Sequence, residues 1–181
     1  LGPDSSDDKS IRILNRVVTW TDSGIRYEPD QRHVDLIVKQ LGFNERTKSL
    51  STPGEKSKMV DESDLTPLSP GDVKLYRSMT MRANYLAQDR SDLTYSVKEL
   101  SRSMQNPTVG DWRALKRLGR YLIGKPTMTL NFPRQDLPDR LDRYVDTDWA
   151  GCSGSRGSTS GGCIMVGTHL YHCWSSSRHK R

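Results

Sequence analysis

Three apolar stripes at helical spacing follow one another between residues 72 and 124, and they limit the folds open to this chain more than any other feature. Tyr76, Met79, Ala83 and Leu86 share the first stripe; Leu93, Val97, Leu100 and Met104 step by 4, 3 and 4; Trp112, Leu115, Leu118 and Leu122 form the third. Apolar side chains recurring three and four residues apart lie on one face of a helix, so each stretch predicts an amphipathic helix that needs a partner surface. The punctuation agrees. Ser69 or Asp72 opens the first helix, Ser91 the second, and Pro107 separates the second from the third. Thr108-Val109-Gly110-Asp111 resembles a capping box with Asp in place of the preferred Glu, and Gly124 and Pro126 stop the third helix. A three-helix unit over 72–124 is the expectation.

The flanks read differently. Residues 11–21 alternate loosely and hold Ile13, Val17, Val18 and Trp20, which predicts one strand; Asp22-Ser23-Gly24 is a turn signal, and Ile25-Arg26-Tyr27 starts a return strand. Asp30 is placed to cap a helix over 31–41 with Val34, Ile37, Val38 and Leu41 on its apolar face, and Gly42 to end it. Residues 44–71 hold Pro53, Pro67 and Pro70 among Ser, Thr, Lys and Glu, the composition of a linker or long loop. After residue 126 the pattern turns to strands over 128–132, 144–148, 162–166 and 170–174, the last two a hairpin across Gly167-Thr168-His169. The class is α+β.

With 33% hydrophobic residues and a mean hydropathy of −0.74, the core is expected to be modest, and some surface to be covered by something else. No apolar run approaches the length of a membrane span. The start, Leu1-Gly2-Pro3-Asp4, has neither Met nor the pattern of a signal peptide, and reads as the beginning of a fragment. Cys152, Cys163 and Cys173 are an odd number and read as free thiols in a reducing compartment. Net charge is +6, unevenly spread: residues 1–71 carry 10 Lys/Arg against 12 Asp/Glu, residues 72–125 carry 11 against 5, and residues 126–181 carry 7 against 5.

The basic excess has a focus. Arg113, Lys116, Arg117 and Arg120 step by 3, 1 and 3 on the third helix, away from its apolar stripe, and Lys125 continues the patch. Such a stripe can follow a phosphate backbone through counterion release, without reading sequence; the alternative is a solvated helix face. A second candidate is the pair Asp146 and Asp148, two apart on a predicted strand and so on one face. Two-metal phosphodiester hydrolysis needs several carboxylates around cations about 3.5–4 Å apart. No Asp or Glu follows Asp148, so a site built there is expected to be incomplete, with Asp146 as its metal ligand and Asp148 as a weaker one. Tyr144-Val145-Asp146 begins like the tyrosine-x-aspartate-aspartate motif of polymerases, but Thr147 stands where the second Asp belongs, which excludes it. His169, His172, Cys163 and Cys173 have no C-x2-C spacing, and strand alternation is expected to split His169, Cys163 and Cys173 between faces. Trp20, Trp112, Trp149 and Trp174 read as core anchors. No Ser-His-Asp order, P-loop or Gly-x-Gly-x-x-Gly fingerprint occurs.

Asp146-Thr147-Asp148-Trp149-Ala150-Gly151, Arg156-Gly157-Ser158-Thr159-Ser160-Gly161 and Trp174-Ser175-Ser176-Ser177 together resemble the start of the RNase H domain in copia-type LTR retrotransposon Pol polyproteins. Upstream, Ser51-Thr52-Pro53, Tyr76-Arg77-Ser78, Tyr85-Leu86-Ala87, Arg90-Ser91-Asp92-Leu93, Asn106-Pro107-Thr108, the run Trp112 to Arg117 and Arg120-Tyr121-Leu122 occur in the same order as in that family. The resemblance runs from about Ile11 and implies a palm-edge β-hairpin over 1–30, a helical thumb and connection over 31–125 with a linker at about 44–71, and over 126–181 an incomplete RNase H-like antiparallel three-stranded sheet. It implies Asp146 as the first RNase H carboxylate, segment 158–161 as the link into the second strand, and Mg²⁺ in the parent reverse transcriptase/RNase H, with none held stably here. The implied partners are an RNA–DNA or DNA duplex and the rest of the Pol polyprotein, in a cytoplasmic particle or the nucleus. Arg156-Gly157 replaces the usual Arg-Arg or Arg-Lys, and Gly162-Cys163 stand where aromatic residues are frequent, departures that fit a divergent copy. The expected function is template–primer binding without catalysis by this chain alone; the rivals are a stand-alone basic helical nucleic-acid-binding module and a non-functional relic.

Overall fold

Residues 1–55, 61–149 and 157–178 are described by the computed structural model. They form two units, Pro29–Met128 and Leu1–Glu28 with Thr129–Arg181.

The first unit is helical. Helix α1 (Arg32–Gln40) buries Val34 and Ile37. Asp30 lies just before it, almost fully buried, and accepts the Arg32 amide at 3.0 Å and its guanidinium at 2.9 Å. The first residue outside the helix is nevertheless Gln31, so Asp30 acts one position earlier than an N-cap. Gly42 ends α1 at φ +72°. Its amide bonds to the Lys39 carbonyl and that of Phe43 to Val38, the crossed pair of a Schellman motif, which needs a left-handed residue between.

Helix α2 (Pro70–Leu86) has Ser69 as N-cap, accepting the Asp72 amide, and buries Tyr76, Met79, Thr80, Ala83 and Leu86. A 3₁₀ turn at Ser91–Leu93 leads into helix α3 (Thr94–Arg102), so Ser91 opens a turn and not the helix proper, whose N-cap is Leu93. Helix α4 (Val109–Gly124) starts with the expected capping box: Thr108 accepts the Asp111 amide, and Asp111 accepts the Thr108 amide at 2.8 Å. The three predicted stripes meet in one core, in which Leu93, Leu115, Leu118 and Leu122 are fully buried and Trp112 and Met104 pack at its margin. The Tyr76 hydroxyl donates to the Leu100 carbonyl at 2.7 Å and fastens α2 to α3. Beneath the end of α4, buried Arg90 donates to both oxygens of Asp92 and to the carbonyls of Lys125 and Pro126, and Tyr121 donates to Asp92 at 2.7 Å.

The second unit holds two antiparallel sheets. The first has the order β1 (Ser10–Ile13), β2 (Arg16–Thr21), β3 (Gly24–Glu28), β4 (Leu130–Pro133). The single strand expected over 11–21 is therefore two strands, joined at Leu14 and Asn15 with φ of 50° and 62°. Two successive left-handed residues make the turn that matches strand twist; Asn suits it, but Leu gives no warning of it. The strand expected at 128–132 pairs with β3, Tyr27 opposite Leu130 and Ile25 opposite Phe132.

The second sheet has the order β5 (Leu141–Asp148), β6 (Ser158–Val166), β7 (His169–Arg178). All three strands are longer than their sequence pattern suggests, and residues 158–161, expected as a link, are the first part of β6 itself. Gln135 joins the two sheets, donating to the Val166 carbonyl at 2.9 Å and accepting the Thr168 amide at 2.8 Å. Trp174 lies over Gly162, where a Cβ would come within 2.6 Å of the indole, so a larger side chain there would have to displace it. Ala150, Gly151, Cys152 and Arg156 of the motif lie outside the described residues. No helix among the described residues is long and apolar enough to cross a membrane.

Candidate nucleic-acid interface

The capping box fixes where α4 begins, and the buried Leu115, Leu118 and Leu122 fix its rotation, so Arg113, Lys116, Arg117 and Arg120 point away from the core. The structure brings these four to one face, as their spacing predicts. It also shows what the spacing hides. The segment 44–71 is no free linker: its described parts, 44–55 and 61–68, run antiparallel along α4 from end to start. The Leu50 amide bonds to the Arg120 carbonyl, and the Lys48 carbonyl accepts from Arg120 Nε at 2.7 Å. Arg117 reaches Glu55 at 2.9 Å and the Thr52 hydroxyl at 2.9 Å. Arg113 pairs with Asp64 and also approaches Ser63. Finally, Pro67 bridges Thr108, and the Val109 amide bonds to the Thr66 carbonyl at 2.9 Å.

The stripe thus has no acidic residue three or four positions away in its own helix but takes two partners from this strap, Glu55 and Asp64. Lys116 and Lys125 are exposed, and each lies over a ring of its own helix, Trp112 at 5.9 Å and Tyr121 at 5.8 Å. Of the stripe arginines, Arg113 keeps 57% of its side chain exposed and Arg117 27%. Sequence reasoning missed Lys48, Thr52, Glu55, Ser63 and Asp64 because the pairs they form join residues far apart in the chain; the strap's acceptor-rich composition was the available signal.

The carboxylates lie in the other unit. Asp146 is opposite Gly161 and Asp148 opposite Thr159 on β5, so alternation puts both on one exposed face with Tyr144. Oxygen donors of this kind suit a hard cation. Among the described residues no group of three or more His, Cys, Asp or Glu side chains gathers, so this face does not by itself compose a two-metal centre. Cys163 is directly opposite Cys173, so these two share a face, while His172, opposite Ile164, and His169, opposite Val166 beyond the register shift, fall on the other; the expected split of His169 from the cysteines is present. Both thiols are free, and burial together with the neighbouring Cys163 pushes the Cys173 thiol up. Trp149 is 86% exposed and so anchors no core among the described residues. Trp20 and Trp174 are half-buried, each under an arginine, Arg134 and Arg143.

A basic helical unit and a sheet unit with paired carboxylates on an exposed face make up an α+β segment. The chain is 37% identical over 156 residues to the retrovirus-related Pol polyprotein from transposon RE2 of Arabidopsis thaliana, a match covering 84% of this chain and 10% of that protein. It is 35% identical over 133 residues to the Pol polyprotein from transposon RE1 of the same plant, covering 74% of this chain and 9% of that one. An uncharacterized mitochondrial protein of Arabidopsis thaliana is 31% identical over 147 residues, covering 81% of this chain and 59% of its own length. No family model and no solved structure matches. The chain belongs to the copia-type retrotransposon Pol polyproteins and spans about a tenth of the length of the two transposon relatives.

Proposed function

We propose that this segment holds a nucleic-acid duplex, the RNA–DNA template–primer of a retrotransposon reverse transcriptase, with the helical unit as thumb and connection and the three-stranded sheet as the beginning of RNase H. The observation that carries this reading is the alignment of Arg113, Lys116, Arg117 and Arg120 on the outer face of α4, in a stretch with 11 cations against 5 anions. Cations in a row along a helix suit phosphates in a row, and give affinity that falls with salt and is indifferent to base sequence. The partners are then the duplex and the rest of the polyprotein, inside the cell.

Asp146 is the residue we assign as the first RNase H carboxylate, with Asp148 beside it. A Mg²⁺ ion held with further carboxylates would activate water and offset charge on the leaving oxygen. The described residues offer that ion only part of its ligand set, so this chain alone is expected to bind and not to cleave.

Anisotropy titration of a labelled RNA–DNA hybrid at low salt tests the binding. Lys116→Glu with Lys125→Glu, which leaves the strap contacts in place, should weaken binding about tenfold or more and flatten its salt dependence. Unchanged affinity removes α4 from the interface. Strong preference for one base sequence would instead favour a stand-alone reader. For the carboxylates, Mg²⁺-dependent cleavage of the hybrid that vanishes in Asp146→Asn would overturn the assignment of this chain as non-catalytic.

A further inference from the structure

The strap follows α4 in strict order. Ser49 lies near Gly124, Leu50 at Arg120, Thr52 and Glu55 at Arg117, Asp64 at Arg113 and Thr66 at Val109. Among the described residues, every strap group that meets a guanidinium of the stripe is an acceptor: a carbonyl at Lys48, hydroxyls at Thr52 and Ser63, carboxylates at Glu55 and Asp64. A row of oxygen acceptors against a row of guanidinium groups is what a phosphate backbone would also present.

We infer that the strap is an internal competitor for nucleic acid: its oxygens occupy the arginines that phosphates would take, and a duplex engages the full stripe only by displacing residues 48–55 and 61–64. This rests on the proposed duplex binding and adds its regulation. Three observations favour displacement over a permanent seat. Glu55 keeps 51% of its side chain exposed, and exposed ion pairs are weak. Leu50 and Thr52, on the amino-terminal side of both ion pairs, contribute no residue to the buried core. Among the described residues, Lys116 and Lys125 meet aromatic rings and not the strap, which leaves the duplex a first foothold beside it.

The competition is open to a direct test on the whole chain. Glu55→Gln with Asp64→Asn should raise affinity for a labelled RNA–DNA hybrid at low salt by about three- to tenfold, since two exposed pairs no longer compete. Hydrogen exchange gives a second reading that needs no substitution. The Leu50 amide, bonded to the Arg120 carbonyl, should exchange faster once saturating hybrid is added. Unchanged affinity in the double variant, or a Leu50 amide better protected with hybrid bound, overturns the inference while leaving duplex binding intact. If Lys116→Glu with Lys125→Glu and Arg117→Glu with Arg120→Glu also leave affinity untouched, the binding reading itself falls, and the competition with it.

Discussion

Arg90 is the residue on which most depends for its size. Its guanidinium is 1% exposed and donates to Asp92 and to two carbonyls beyond the end of α4. Arg90→Met leaves both carbonyls without this donor and Asp92 without its cationic partner, with Tyr121 still donating to it, and is expected to cost about 3–5 kcal/mol, read from the urea midpoint. Burial raises the Asp92 carboxyl, but hydrogen bonds from Arg90 and Tyr121 outweigh it and hold it below its ordinary 3.8. Asp30 is lowered likewise, chiefly by Arg32. A carboxyl lower in the folded than in the unfolded chain stabilises above its unfolded value and loses that contribution as pH falls through the folded one. Unfolding should therefore become easier below about pH 4, less so in Asp92→Asn. Tyr121 behaves in the opposite sense: burial and the bond to Asp92 push it up to about 12 from 10.0, so its contribution is whole below 10 and lost toward 12. Thermal midpoints across pH check both limbs. None of this network was legible in the sequence, where Arg90 and Asp92 stand only as members of the motif Arg90-Ser91-Asp92-Leu93; its meaning comes from Tyr121, 29 positions beyond Asp92, and from carbonyls further still.

Elements with a strong period were the legible ones. The stripes of α2, α3 and α4 needed no tertiary knowledge, because 3.6-residue spacing states which side is buried. The Thr108–Asp111 box and Gly42 were equally plain and can be tested locally. Thr108→Ala should cost about 1 kcal/mol by removing the cap of α4. Gly42→Ala should cost about 1 kcal/mol by backbone strain alone, since the new methyl would touch nothing within 4 Å. Both are measurable as shifts in denaturant midpoint. Strand boundaries were harder to see. Leu14 shares a two-residue turn with Asn15 although leucine is no turn residue, and β6 begins at residues 158–161, which the resemblance implied as a link. The alternation that places Asp146 with Asp148 was visible; the partners of the arginine stripe were not, because Arg117 and Glu55 are 62 positions apart.

Across the molecule, the excess positive charge belongs to the helical unit, while the carboxylates assigned to metal chemistry belong to the sheet unit. This division could be read from charge counts before any contact was known, whereas the pairing of β3 with β4 could not. That pairing makes the helical unit an insertion: one hundred residues, Pro29–Met128, intervene between two neighbouring strands. Closing so long a loop is entropically costly for a disordered chain and cheaper once the intervening part has condensed. Pulse-labelled exchange during refolding should therefore show α2 and α4 amides protected before those that join β3 to β4. A ribosome making this chain would meet the same constraint: the amino-terminal strands wait, one edge unpaired, until the whole bundle has been synthesised and the last strand of their sheet arrives. Such a nascent edge is open to mispairing for the time it takes to add those hundred residues, which makes the order of synthesis, as much as the finished contacts, a determinant of how much correctly assembled product is made.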